Sequence, residues 1–319
     1  MATPTTPITP TTATTTGTPA KTPGRTPGAS GTHRSRAQNF ADTGWRHLVA
    51  WLAVAFALFP VLWVLSAAFG PGNLNSQRLI PNEINLDNFR TLMTEPGHPP
   101  FWRWFRNSMV VGVITALATV FLCALAAFAF SRMRFKGRRP GLLALLLVQM
   151  FPNLLAIVAL FLFMTRVKTM FPAIGLGTTW GLIFIYLGGA LGVNTFLMKG
   201  FFDTVPQELD ESAKVDGATH AQIFFRIVLP LATPVLAVIG LLSFITSQAE
   251  FLIADVILGQ QEDQRTLAVG LSRYVLAGFD NRWGPFAAGA LIGAIPVVVL
   301  FLFLQRFIVS GLTAGAVKG

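Results

Sequence analysis

Six long apolar blocks, at about 48–69, 107–130, 141–164, 180–198, 228–258 and 284–309, dominate the chain and are separated by shorter polar connections. About 20 apolar residues of helix are enough to cross the hydrocarbon of a bilayer. A backbone exposed to lipid must satisfy its own hydrogen bonds, and these blocks are too long and uniformly apolar for barrel strands. The expectation is therefore an all-α polytopic membrane protein with six transmembrane helices. Composition agrees, with 53% hydrophobic and 12% charged residues in 319, against roughly 45–50% and about 25% in soluble domains. Pro60, Pro152, Pro234 and Pro296 fall inside blocks and are expected to kink several of them.

The formal charge of +10 does not point to nucleic acid, because the basic residues sit beside apolar blocks, where they set orientation against the bilayer. The connection 131–140 holds Arg132, Arg134, Lys136, Arg138 and Arg139 without an acid, and the stretch before Trp51 adds Lys21, Arg25, Arg34, Arg36 and Arg46. Both are expected on the cytoplasmic side. Six crossings then place both termini and the 200–226 connection inside, and 70–103, 166–178 and 259–283 outside. Residues 1–39 are rich in Thr, Pro and Gly, have almost no large apolar side chains and lack the apolar centre of a secretory signal. They are expected to form a disordered cytoplasmic tail ahead of one membrane domain, 40–319. Cys123 is the only cysteine and lies inside a block, which excludes an internal disulfide and points to a small core residue. His33, His47, His98 and His220 are scattered, so no metal site is implied.

Between the fourth and fifth blocks the sequence is first polar and then apolar. Pro206 suits a first helical turn, Asp203 or Thr204 can cap that turn, and 207–215 holds mostly good helix formers. Gly217 permits a tight turn, and 218–225 supplies a second short helix. Leu229 and Pro230 mark re-entry into the membrane.

Glu211-Ser212-Ala213, three residues, Gly217, nine residues, Ile227, one residue and Leu229-Pro230 resemble the EAA loop of binding-protein-dependent ABC importer permeases, with Ser212 where the pattern usually has alanine. Asn194 to Gly200, Thr266 to Gly270 and the terminal Gly311 to Gly319 resemble the smaller permease subunit of maltose-type sugar importers. The resemblance implies a type I ABC importer fold in a bacterial cell membrane. It also implies a homologous partner permease, two ATP-binding subunits and an extracytoplasmic sugar-binding protein. ATP and Mg would belong to the partner ATPase, with no cofactor bound by this chain. It further implies that the loop, about 200–230, docks in a cleft of the ATPase. Glu211 and Asp216 would meet basic or amide groups there or cap the second helix. Gly217 would set the angle between the helices, and Phe224 with Phe225 would anchor in an apolar cleft. Ser212, Ala213, Ala218, Ile227, Leu229 and Pro230 complete the motif. The C-terminal glycines give an extended tail that by resemblance reaches between the ATPase subunits. The bland alternative for the loop is a solvated amphipathic connector.

No GxxxxGK[ST] loop occurs, so the ATPase is expected on another polypeptide, and no HExxH or GxSxG supports an intramembrane enzyme. Polar residues in spans usually face a bundle interior or aqueous cavity. Gln149, Asn153, Asn194, Ser243, Thr246, Ser247, Gln248 and Glu250 are the candidates to line a pathway, with Phe151, Phe244 and Phe251 as aromatic faces for an uncharged sugar. The hydroxyls can instead bond their own helix. Two alternatives remain open: the same machinery with a polyol or glycerol phosphate as cargo, and a secondary transporter using Glu250 as a proton-coupled carboxylate.

Overall fold

A computed structural model describes residues 36–71, 79, 83–94, 101–259, 261–276 and 282–316. All their regular structure is helical. In chain order the helices are α1 (Arg36–Phe69), α2 (Asp87–Thr94), α3 (Phe101–Arg132), α4 (Arg138–Gln149), α5 (Asn153–Met170), α6 (Thr179–Thr204) and α7 (Gln207–Val215). They continue with α8 (His220–Ile223), a π-helical turn Phe224–Val228, α9 (Leu229–Leu231), α10 (Thr233–Ala249), α11 (Leu252–Leu258), α12 (Leu267–Leu276) and α13 (Trp283–Ala316). The chain divides into two units, 1–55 and 56–319. Described residues of the first are the opening turns of α1, and all the packing below belongs to the second. The expected tail, 1–39, lies outside the described residues up to 35, and α1 begins at Arg36.

Of Pro60, Pro152, Pro234 and Pro296, two stand at breaks in the apolar blocks and two lie inside continuous helices. Four helices are continuous and long enough to cross a membrane: Thr43–Phe69, Phe101–Arg132, Thr179–Thr204 and Trp283–Ile308. Pro60 and Pro296 lie inside α1 and α13 without ending them. The other two expected spans are broken pairs. Arg138–Gln149 and Leu154–Met170 meet at 102°, and His220–Leu231 and Thr233–Ala249 meet at 78°. Pro152 stands at the first break in extended geometry, φ −62° and ψ 119°, and Pro234 lies in the first turn after the second. Proline has no N–H to continue a helix, and its ring crowds the preceding turn. The block 228–258 is also interrupted at Glu250 and Phe251, where α10 gives way to α11.

Three further expectations are corrected. Asp203 and Thr204 do not cap the helix after Pro206, because both belong to the last turn of α6. The connection 259–283 is not a plain external loop. It folds into a 3₁₀ turn at Glu262–Gln264 and the buried helix α12, whose Leu267, Leu271 and Tyr274 pack with Phe101, Trp104 and Ala288. The C-terminal glycines do not form an extended tail as far as they are described, since α13 runs to Ala316.

At the centre lies α3, packed most extensively against α6 and α10. Its buried face is made of small residues, among them Gly112, Thr115, Ala116, Thr119, Cys123, Ala124 and Ala127. Small side chains let neighbouring backbones approach closely, and close van der Waals contact is the main source of helix adhesion in lipid. Cys123 is fully buried, as its place in an apolar block implied. At the other end of α3, Trp104 is buried against α12, where Gly270 leaves room for its indole: a Cβ there would stand 2.2 Å from Trp104 Cδ2. Trp104→Ala is expected to cost about 3–5 kcal/mol through the cavity it leaves. The measurement is thermal unfolding of the purified protein in detergent, with Trp104→Phe expected to lose less.

Candidate functional site

The connector between α6 and α10 is held in shape by three local devices. The first closes α7. Asp216 ends the helix, Gly217 takes φ +81°, the Gly217 N–H donates to the Lys214 carbonyl at 3.0 Å, and the Ala218 N–H reaches back to Ala213 at 2.9 Å. These paired bonds make a Schellman motif, which needs a left-handed residue after the helix and is usually sealed by an apolar contact across it. Ala213 and Ala218 supply that contact, both packed on the cluster built from α3, α6 and α10. The spacing from Ala213 to Gly217 thus has a direct physical cause.

The second device starts α8. Thr219 Oγ1 accepts from the Gln222 N–H, and Gln222 Oε1 accepts from the Thr219 N–H at 2.7 Å, forming a capping box. Thr219, rather than Glu211 or Asp216, therefore caps the second helix. The third device is the π-helical turn. Pro230 cannot donate to the Arg226 carbonyl. One residue earlier the Leu229 N–H already reaches Phe224, five residues back, a widened turn of the kind that recurs at functional sites.

These devices sort the motif residues into two faces. Glu211, Ser212, Asp216, Gly217 and Pro230 are exposed, as are the apolar Leu209, Val215 and Phe225. Ala213, Ala218, Ile227 and Leu229 are half-buried against the core. The paired aromatic anchor is split. Phe224 is 2% exposed and packs edge-on against Phe128 of α3, ring centroids 5.1 Å apart, whereas Phe225 is 52% exposed. Phe224 fastens the connector to its own chain, and Phe225 alone is presented outward.

A cavity of about 1030 Å³ lies among the end of α4, the body of α5, α6, α10 and the start of α11. It gathers Gln149, Asn194, Ser243, Thr246, Ser247 and Glu250 with Thr115, Tyr186 and Phe151. Gln149 spans from α4 to α6, where its Nε2 donates to the Gly189 carbonyl at 2.9 Å; a Cβ on Gly192 would come within 2.3 Å of that nitrogen. Asn194, Thr246 and Ser247 donate to carbonyls of their own helices, Ala190, Leu242 and Phe244, and the hydroxyl oxygens retain acceptor capacity. The Glu250 carboxylate accepts from the Ile253 and Ala254 N–H groups at 2.7 and 2.9 Å and from the Tyr186 hydroxyl at 2.6 Å. It therefore serves to cap α11. Gln248 lies elsewhere, donating to the Ser108 carbonyl on α3 at 3.0 Å. Phe244 is buried in α10, and Phe251 faces a separate apolar pocket with Gln248. Asn153 opens α5, and its side chain lies outside the described residues.

Residues 120–313, which include the connector, most of the cavity and α10 to α13, match the profile of the binding-protein-dependent transport system inner membrane component. The chain belongs to this family. It is 39% identical over 283 residues to the maltose/maltodextrin transport system permease protein MalG of Vibrio parahaemolyticus, covering 86% of this chain and 95% of the relative. It is 40% identical over 273 residues to the galactooligosaccharides transport system permease protein GanQ of Bacillus subtilis, covering 85% and 94%. In fold it is similar to a solved bacterial ABC transporter involved in import of the polysaccharide alginate, with a TM-score of 0.66 at 23% identity over 85% of this chain and 98% of that one.

Within this permease the structure adds residues that sequence reasoning left out of the site. Arg132, counted only as a topology charge, ends α3 and is buried with Asp210 of α7: Arg132 Nε lies 2.8 Å from Asp210 Oδ2, with side-chain exposures of 5% and 8%. Its Nη2 donates to the Val205 carbonyl at 2.8 Å, at the joint between α6 and α7. Beside it Ser131 donates to Asp203 at 2.6 Å. Removing one member of such a buried pair typically costs about 3–5 kcal/mol, because the other charge is left uncompensated. The signal in the sequence was an acid one residue before the motif glutamate, facing inward on α7.

Gly217 generates a sharp expectation. A β-branched residue at φ +81° is strained by about 1–2 kcal/mol, whereas asparagine tolerates the left-handed region. Gly217→Val is expected to open the Schellman turn and speed protease cleavage between α7 and α8, with Gly217→Asn close to the parent. Equal cleavage rates in the two variants would contradict this account.

Proposed function

We propose that the chain is the membrane-spanning permease subunit of an ATP-driven importer of a carbohydrate, coupled to its motor through the connector 207–230. The observation that carries this reading is the connector itself. It is stiffened by a Schellman closure and a capping box, fixed inward through Phe224 and Asp210, and presents Glu211, Asp216, Leu209, Val215 and Phe225 outward. An exposed surface that mixes acids with large apolar side chains on a rigid mount suits a protein partner. The partner would be an ATP-binding subunit, two per complex, which holds ATP and Mg; this chain binds neither and catalyses no reaction.

The remaining parts follow from the same reading. A homologous permease completes a heterodimer around the pathway, and a sugar-binding protein delivers cargo from outside. The protein resides in a bacterial cell membrane with both termini cytoplasmic, the side on which the arginines of 131–140 lie by the positive-inside rule. The saccharide assignment draws on the maltodextrin and galactooligosaccharide named for the relatives. It also draws on the cavity, where amides, hydroxyls and a carboxylate alternate with the faces of Phe151, Phe163, Phe184 and Tyr186. Neutral polyhydroxylated cargo is recognised by such a set of directional polar groups and flat apolar surfaces.

In liposomes holding the complete complex, binding protein loaded with maltose, maltotriose or a galactooligosaccharide is expected to stimulate ATP hydrolysis and accumulate that sugar inside. No stimulation with any of these saccharides would overturn the carbohydrate assignment. Glu211→Lys is expected to abolish stimulation while the chain still reaches the membrane; a parental rate in that variant would overturn the role given to the connector.

A further inference from the structure

Covalent connectivity joins the connector to two membrane helices only. It leaves α6 through Val205 and Pro206, and enters α10 through α9. The central helix α3 is far away in sequence, yet its last two turns meet the connector at several points. Phe128 meets Phe224 of the π-helical turn, Ser131 holds Asp203 at the end of α6, and Arg132 holds both the Val205 carbonyl and the Asp210 carboxylate. Among the described residues this is where α3 meets α7 through charge.

The geometry of Arg132 is unusual for a purely structural ion pair. Its guanidinium bridges a helix and the joint that precedes it, so bending at Val205 would stretch one of its two contacts. The contact to Asp210 is close but not an aligned hydrogen bond, and Asp210 Oδ1 has no protein hydrogen-bond partner. A void of about 50 Å³ bounded by Gln207, Lys214 and His220 adjoins it, enough for a water to complete its shell. Two charges, both more than nine-tenths buried, attract each other strongly at this distance, since little water screens them.

We propose that Arg132 and Asp210 are positioning residues that clasp the connector to α3, so that α7 and the end of α3 move as one body when the ATPase subunits close. Displacement then reaches α6 and α10 through the chain, and α3 through the clasp. The inference rests on the importer reading above and deepens it by naming how force enters the central helix.

The test uses the complete complex with a spin label on each side of the clasp, at Arg134→Cys beyond α3 and Glu208→Cys on α7, in a Cys123→Ala background. Both label sites are exposed. The distance distribution is read without nucleotide and after trapping with Mg-ATP and vanadate, neither of which depends on the cargo. With the pair intact, the same narrow distance is expected in both states. A shift between them would overturn the proposal. The apolar replacement Arg132→Met with Asp210→Leu preserves volume and lets the complex assemble; it is expected to broaden or shift the trapped distance, whereas Asp210→Glu, which keeps the charge, restores it. If the apolar pair keeps the parental distance in both states, the charges are not what ties α7 to α3 and the proposal fails. Failure of the importer reading itself is seen separately, as a purified complex that hydrolyses no ATP, which would remove the basis of the clasp.

Discussion

The close approach of α6 and α10 to α3 is the contact from which the rest of the structure is built. Lipid tails are as apolar as leucine, so burying a large apolar side chain between membrane helices gains little over leaving it in lipid. Adhesion comes instead from dense van der Waals contact, which small residues allow. The face of α3 that carries Gly112, Thr115, Thr119, Cys123 and Ala127 meets this requirement. Large side chains such as Leu117, Phe121 and Leu125 are displaced to its exposed faces. With α3 enclosed in this way, its two ends become fixed points. Trp104 and Asn107 anchor one end to α12 and the turn before it, and Phe128, Ser131 and Arg132 anchor the other to the connector.

The connector combines local rigidity with a few strong tertiary ties. Its turn chemistry is complete within the segment, since Gly217, Thr219 and Gln222 satisfy the ends of α7 and α8 without help from elsewhere. A widened turn just before Pro230 then leads through α9 to α10. What the segment cannot supply is its own attachment, and Phe224 and Asp210 provide this by turning inward. A mount that is stiff locally and tied at few points can carry a displacement without deforming, as the coupling role proposed above requires.

The cavity shows a different division of labour. Several polar side chains in the spans first serve the backbone: Glu250 replaces the partners that the first N–H groups of α11 lack, and Thr246 and Ser247 bond back to their own turn. The break at Glu250 and Phe251 would leave the first N–H groups of α11 without helical partners, and the carboxylate supplies them. The same groups nonetheless border an open volume, so one set of residues both repairs helix ends and gives the cavity its polarity.

The sequence by itself determined the class, the helical content, the bounds of α7 and the position of its closing turn. Hydrocarbon permits little besides helices, and Gly217 and Pro206 act on the backbone within a few residues of themselves. It also marked Gln149, Asn194, Thr246 and Glu250, because polar groups stand out in apolar blocks. Tertiary structure decided what no local rule could: that Phe224 faces in while Phe225 faces out, that Gln248 binds α3 instead of the cavity, and that 259–283 contains a helix packed into the core. Above all it paired Arg132 with Asp210 across 78 positions of sequence. Burial of a charge is set by what packs over it, and that depends on the helices of the whole bundle rather than on its neighbours along the chain.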